Sequence, residues 1–188
     1  MAKQVLVLLG SPRKNGNSAI LARQIAKGAK SGKAKVDTVY LHGLNISPCK
    51  GCWSCQKKSS KGCVIEDGMQ AIYTKLVAAD GWVIATPIFW FTLSAQTKLF
   101  MDRCFALPAY HPDPFREKRI AVAMTYGAED PLASGCVNAW RTFQDAYAYT
   151  ESQLVGCVYG TAMAAGEIRA NEKVMQDAFA LGRQLVAD

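Results

Sequence analysis

No stretch of this 188-residue sequence approaches the roughly 20 consecutive apolar residues that a membrane-spanning helix needs. Residues 5–9 are continuously apolar, but they have only the length of a buried strand. Met1-Ala-Lys-Gln runs straight into that strand without a secretion signal, so a cytoplasmic location is expected. No internal repeat, low-complexity tract or interdomain linker is visible, and one domain over residues 1–188 is expected. Acidic residues are scarce beside basic ones, 15 against 22, for a net charge of +7 with the histidines neutral. The basic residues are scattered rather than gathered into an arm, which argues against a nucleic-acid partner. Histidine is nearly absent: His42 and His111 are the two copies, no recognisable triad accompanies them, and no catalytic side chain is assigned.

What is present is a core. Half of the residues are hydrophobic and a fifth are charged, too apolar a balance for disorder. Strand patterns at residues 5–9, 36–41, 82–85, 120–124 and 154–158 alternate with helical patterns at 17–30, 69–79, 94–107, 136–147 and 167–186. Five such alternations predict an α/β doubly wound parallel sheet with helices on both faces. Two segments fit neither pattern: residues 47–68, rich in Cys, Lys and Gly, and residues 108–118, rich in proline. Both are read as loops on the one domain.

In such a sheet, ligands bind beyond the carboxyl ends of the strands, where strand order reverses. The first strand-to-helix turn is Gly10-Ser-Pro-Arg-Lys-Asn-Gly-Asn-Ser18, with Asn17 or Ser18 as the expected helix cap. It lacks the lysine of a P-loop and the spacing of a dinucleotide-binding G-x-G-x-x-G. Amides around Gly16, the side chains of Ser11, Asn17 and Ser18, and the Arg13 guanidinium can nevertheless converge on one phosphate. That composition suits a mononucleotide. The third strand closes on Thr86-Pro-Ile-Phe-Trp-Phe91, where Pro87 stiffens the turn and three aromatics stand where a planar ring could lie.

Seven cysteines are an odd number, and metal, cluster or redox chemistry is expected of them before a disulfide scaffold. Cys49, Cys52, Cys55 and Cys63 follow a Cys-x2-Cys-x2-Cys-x7-Cys spacing, with Gly51 and Gly62 permitting tight turns. Four thiolates this close can wrap a small iron–sulfur cluster, and Lys50, Lys57, Lys58 and Lys61 can offset its negative charge. Zinc ribbons usually separate their two knuckles by more residues. A vestigial loop, an internal disulfide or a substrate-facing lid stay open as readings. The loop follows the second strand, so it is expected to project from the ligand end of the sheet. Cys104, Cys136 and Cys157 fall in helix or strand patterns and are expected to be buried.

The phosphate turn, together with Thr86-Pro-Ile-Phe-Trp90, Ser94-Ala-Gln-Thr-Lys98 and Phe100-Met-Asp-Arg103, resembles the NAD(P)H-dependent FMN reductases, a flavodoxin-like group. The resemblance implies a five-stranded parallel sheet of order 2-1-3-4-5. It implies an FMN site made by Ser11, Arg13, Asn15, Gly16, Asn17 and Ser18 at the phosphate and by Thr86, Pro87, Ile88, Phe89 and Trp90 near the ring. Thr125, Tyr126 and Gly127 stand at a third ligand loop, where relatives often carry two glycines. NAD(P)H is implied as co-substrate, a quinone, flavin, nitro- or azo-aromatic or metal as acceptor, and a homodimer or homotetramer as assembly. The cysteine motif is similar to that of the iron–sulfur flavoproteins, which implies a [4Fe–4S] cluster on Cys49, Cys52, Cys55 and Cys63. The last spacing is at the long end of that group's range.

Overall fold

The computed structural model describes residues 2–187. Strand β1 (Gln4–Leu9) leads through the phosphate turn into helix α1 (Asn17–Ser31), followed by β2 (Lys35–Tyr40). Helix α2 (Gln70–Ala78), β3 (Gly81–Phe89), β4 (Thr92–Leu93) and α3 (Ala95–Arg103) follow the cysteine loop. The chain ends with β5 (Arg119–Tyr126), α4 (Cys136–Tyr149), β6 (Gln153–Thr161) and α5 (Glu172–Val186). The main sheet is parallel throughout, in the order β2-β1-β3-β5-β6. With β4 set aside as an antiparallel arm of β3, this is the expected 2-1-3-4-5 order of a flavodoxin-like fold.

Alternation along the strands divides the interior into two layers. Leu6, Leu8, Trp82, Ile84, Ile120 and Val122 point to one face and meet Ile72, Tyr73, Leu76, Phe100 and Phe143 of α2, α3 and α4. Val5, Val7, Leu9, Val83 and Ala85 point to the other, under Ile20, Leu21 and Ile25 of α1 and Leu181 and Leu185 of α5. The central strands are buried on both sides, which is why β1 reads as an unbroken apolar run rather than an alternating one. Helices α1 and α5 touch closely: a Cβ on Gly28 would sit 2.0 Å from the Phe179 carbonyl oxygen, and one on Gly182 would sit 1.9 Å from that of Ile25.

Three elements depart from the sequence pattern. The helix expected over residues 94–107 ends at Arg103 and tightens into a 3-10 turn, Cys104–Ala109, that contains Pro108. The helix expected over 167–186 is broken: Glu167–Ala170 is a 3-10 turn, and Asn171 caps a fresh start by accepting the Val174 amide at 3.1 Å. The third strand runs on past residue 85, because Ile88 and Phe89 pair with Leu93 and Thr92. Residues 47–68 hold one short 3-10 turn, Ser54–Gln56. Among the described residues, no helix is long and apolar enough to cross a membrane.

Candidate functional site

The strand order reverses between β1 and β3, and the turn after β1 sits at that crevice. Gly10 closes β1 by donating its N–H to the Ala85 carbonyl at 2.8 Å, and a Cβ there would lie 1.9 Å from Thr97 Oγ1. Ser11 is buried and its Oγ accepts the Arg13 amide at 3.0 Å, curling the turn back on itself. Gly16 fills a cradle in which a Cβ would come within 3.1 Å of both Arg13 O and Ser11 Oγ. Among the described residues the amides of Asn17, Ser18 and Ala19 have no acceptor, so the first turn of α1 presents three donors at its positive end. Arg13 and Lys14 are exposed beside it. Asn15 Oδ1 accepts from Arg23 at 2.8 Å, and Tyr40 Oη donates to the Pro12 carbonyl at 2.6 Å. Amide donors at a helix start with Arg13 and Lys14 beside them suit an anionic group.

The expected cap is corrected. Gly16, not Asn17 or Ser18, is the N-cap of α1, and among the described residues no side chain caps it. Ser18 is buried in the first turn. The Asn17 side chain is engaged elsewhere: its Nδ2 donates to Ala164 O at 2.9 Å and Ala162 O at 3.3 Å, and its Oδ1 accepts the amides of Gly166 at 3.0 Å and Ile168 at 3.5 Å. It thereby ties the segment after β6 to the phosphate turn.

At the end of β3 the structure forms a two-residue hairpin with Trp90 and Phe91 at its tip, both in the left-handed region (φ +47° and +67°). Tight hairpins favour that geometry, but they usually fill it with Asn and Gly, because a bulky side chain is strained there. The strain is held from outside: Asn138 Nδ2 donates to Phe91 O at 3.1 Å, and Gly135 lies so close that a Cβ on it would be 2.4 Å from the same oxygen. Phe89, Trp90 and Phe91 are all exposed, Trp90 to 91%. Thr86 differs from its neighbours. Its side chain is fully buried, and its Oγ1 accepts the Ser94 amide at 2.9 Å and donates to Pro87 O at 2.9 Å. Pro87 and Ile88 are half-buried. On β5, Thr125 and Tyr126 are buried while Gly127 is exposed, with Met163 so near that a Cβ on the glycine would meet its sulfur at 2.0 Å.

Ser94 is the residue the sequence reading did not count as part of the site. Its hydroxyl donates to Gly10 O at 2.6 Å and accepts the Thr97 amide at 3.3 Å while its own amide donates to Thr86 Oγ1, so one residue fastens the end of β1, the end of β3 and the start of α3. The signal was available, since a serine opening a helical pattern is an ordinary cap. Of the histidines, His42 Nδ1 lies 3.1 Å from Gln96 Nε2 at the ligand end, whereas His111 follows the turn after α3 and accepts the Asp113 amide.

The cysteine loop does not stand only at the ligand end. It folds back along α2 and α3, where Gln56 donates to Phe105 O at 2.7 Å and Trp53 meets Phe105 edge to face at 5.3 Å. The Cys63 amide donates to Tyr110 Oη at 3.2 Å, and Gln70 donates to Cys63 O at 2.9 Å. Arg103, buried with Asp67, donates to Asp67 Oδ2 at 2.5 Å, Asp67 Oδ1 at 3.2 Å, Ser47 O at 2.7 Å and Cys63 Sγ at 3.5 Å. Burial opposes the Asp67 charge. The Arg103 hydrogen bond and the amides of Ser47 and Met69 outweigh it, holding the carboxyl below its usual range.

All seven cysteines are free thiols. Cys49, Cys52, Cys55 and Cys63 line one small cavity together with Arg103. Among the described residues, no three His, Cys, Asp or Glu gather closely enough to hold a single metal ion. The four thiols therefore do not form a zinc-type shell. A cubane cluster takes one thiolate at each of its four irons, and the four free cysteines around this cavity are the donor set it would use. Cys52 is exposed, and the amide and hydroxyl of Ser54 lower its pKa. Cys104 and Cys136 are buried as expected, but Cys157 is half-buried; burial pushes Cys136 up to about 12 and Cys157 up to about 11, which keeps them unreactive.

The sequence profile of the NADPH-dependent FMN reductase family matches residues 4–146. An iron-sulfur flavoprotein of Methanosarcina thermophila is 34% identical over 119 residues, 63% of this chain and 57% of that protein. One from Methanocaldococcus jannaschii is 31% identical over 153 residues, 81% of this chain and 75% of that protein. The matched segment thus spans little more than half the length of the first. Among solved structures, the NAD(P)H:quinone oxidoreductase from Methanothermobacter marburgensis superposes with a TM-score of 0.73 at 14% identity, covering 100% of this chain and 99% of that one, a likeness of fold. A profile that matches from β1 into α4 carries the conclusion: the chain belongs to the NADPH-dependent FMN reductase family.

Proposed function

We propose that this chain is an FMN-dependent oxidoreductase that takes electrons from NAD(P)H and passes them to a small acceptor: a quinone, a free flavin, a nitro- or azo-aromatic, or a metal. The observation that carries the reading is the turn at the switch point, with three amides that have no partner among the described residues, a glycine cradle and Arg13 beside them. Bound FMN supplies the redox chemistry itself, accepting hydride and releasing electrons. The chain's task is to hold and orient it. Ser11, Arg13, Asn15, Gly16, Asn17 and Ser18 would hold the phosphate, directly or by shaping the turn. The hairpin at Pro87, Ile88, Phe89 and Trp90 and the loop at Thr125, Tyr126 and Gly127 would bound the ring, with Thr86 bracing them from within. A homodimer or homotetramer belongs to this reading, because the strained, exposed Trp90 gains burial only from a ligand or a second copy. So does a cytoplasmic setting, with neither a membrane nor a nucleic acid as partner. The kinship to a quinone reductase in fold is consistent with the acceptor class.

A second reading is favoured by the cavity that the four thiols share and by relatives named iron-sulfur flavoproteins. In it, Cys49, Cys52, Cys55 and Cys63 hold a [4Fe–4S] cluster, which supplies one-electron transfer, and the protein serves as an electron carrier. One preparation tests both. Protein purified without oxygen is examined by absorption spectroscopy and by iron and sulfide analysis, then mixed with NADPH and a quinone. Flavin bands with steady NADPH oxidation support the first reading; about four irons per chain without NADPH turnover support the second. Absence of flavin after FMN is added overturns both. Arg13→Ala and Ser18→Ala are expected to weaken FMN binding, and unchanged affinity in the pair would remove the phosphate assignment.

A further inference from the structure

We propose that Arg103 is the positioning residue of the four-cysteine site: its guanidinium clamps both ends of the loop between Ser47 and Asp67 and places an N–H donor on the sulfur of Cys63, raising the reduction potential of a cluster held there. The inference rests on the second reading above.

Arg103 is 1% exposed, and its side chain reaches three different kinds of acceptor. Nη1 serves the Ser47 carbonyl, where the loop begins, and Asp67, where it ends; Nη2 serves Asp67 again and the Cys63 sulfur at 3.5 Å. A planar fork of fixed donors can do this at once, whereas an ammonium group cannot. Packing alone does not account for it. A buried ion pair gains little over apolar residues of similar volume, and Arg103 Nε is buried here with no partner among the described residues. Arg103 also lines the small cavity bordered by the four cysteines of the loop. Asp67 offsets the guanidinium charge from one side, and what Nη2 presents to the sulfur on the other is an N–H donor. A cluster becomes more negative on reduction, and an N–H donor to a ligating sulfur stabilises that form more than the oxidised one. Removing the donor therefore lowers the potential.

The test uses full-length protein with its iron and FMN, titrated with dithionite and followed by electron paramagnetic resonance. Arg103→Lys keeps a positive charge beside Asp67 but gives up the fork. The expected result is an unchanged flavin spectrum with a cluster midpoint shifted to more negative potential, or a loss of iron on gel filtration. An equal midpoint and equal iron content would overturn the proposal. A second measurement needs no variant: in wild-type protein grown with 15N-arginine, pulsed resonance of the reduced cluster should show a 15N coupling, and its absence would overturn the assignment. Wild-type protein that takes up no iron and sulfide overturns the cluster reading itself, a result distinct from a loaded cluster indifferent to Arg103.

Discussion

The phosphate turn and the cysteine loop lie in one domain, yet they are held in opposite ways. The turn is a product of the sheet: it starts where β1 must end, closes on the N-terminus of α1, and is fixed by backbone contacts and by Ser94. The loop has almost no regular structure and is held by a few side-chain contacts, with the buried pair of Arg103 and Asp67 at its base. A site made by the scaffold spreads its stability over many small terms, whereas a site grafted on a loop concentrates it in a few.

The largest expected effect breaks the loop's side of that contrast. Asp67→Ala leaves the Arg103 guanidinium buried without its carboxylate, and a loss of about 3–5 kcal/mol in denaturant unfolding is expected. A loss within the ~0.5 kcal/mol of an ordinary surface change would show that the pair is not the anchor. The same pair sets an acid limb. Because the Asp67 pKa is depressed in the fold, its contribution is complete above the unfolded value near 3.9 and is lost as pH falls through the lower, folded one. Acid titration of the wild type should show this limb, and Asp67→Asn should flatten it.

Next in size is Asn17→Ala, which strips partners from two amides and two carbonyls of residues 162–168. About 1–3 kcal/mol of stability should go, together with FMN affinity measured by fluorescence quenching. Stability lost with affinity kept would separate Asn17 from the phosphate turn. The smallest effect has the opposite sign. Replacing Trp90 and Phe91 by Asn and Gly relieves two left-handed bulky residues, so the fold should gain about 1–2 kcal/mol while NADPH oxidation falls. Equal turnover in that double variant would show that the hairpin is only a turn.

The same contrast explains what could be read from the sequence. The five main strands and the phosphate turn were legible because buried parallel strands write themselves as apolar runs such as Val5 to Leu9, and the turn follows directly, whereas the strand order came only with the family resemblance. The break at Asn171 was hidden because the apolar spacing continues through it, although an asparagine there is a cap in waiting. The second job of Asn17 depends on partners some 145 residues away, which no local pattern contains. The β4 hairpin was missed because Trp and Phe are the wrong residues for its tip, and the reason for them lies in Asn138 and Gly135. Cysteine spacing announced a loop of thiols, but not that Arg103, on a different helix, would pin it.

The latch at Asn17 also bears on the order of events during synthesis. Each strand from β2 to β6 can join an edge already laid down, so the sheet can grow as the chain emerges. The phosphate turn comes among the first 20 residues, but the partners of Asn17 arrive only with residues 162–168, and α1 waits for α5 to cover it. On the proposed reading, the anchor for the cofactor is thus begun first and finished last. Nascent chains stalled before residue 162 should accordingly leave added FMN bright, and those released with α5 should quench it.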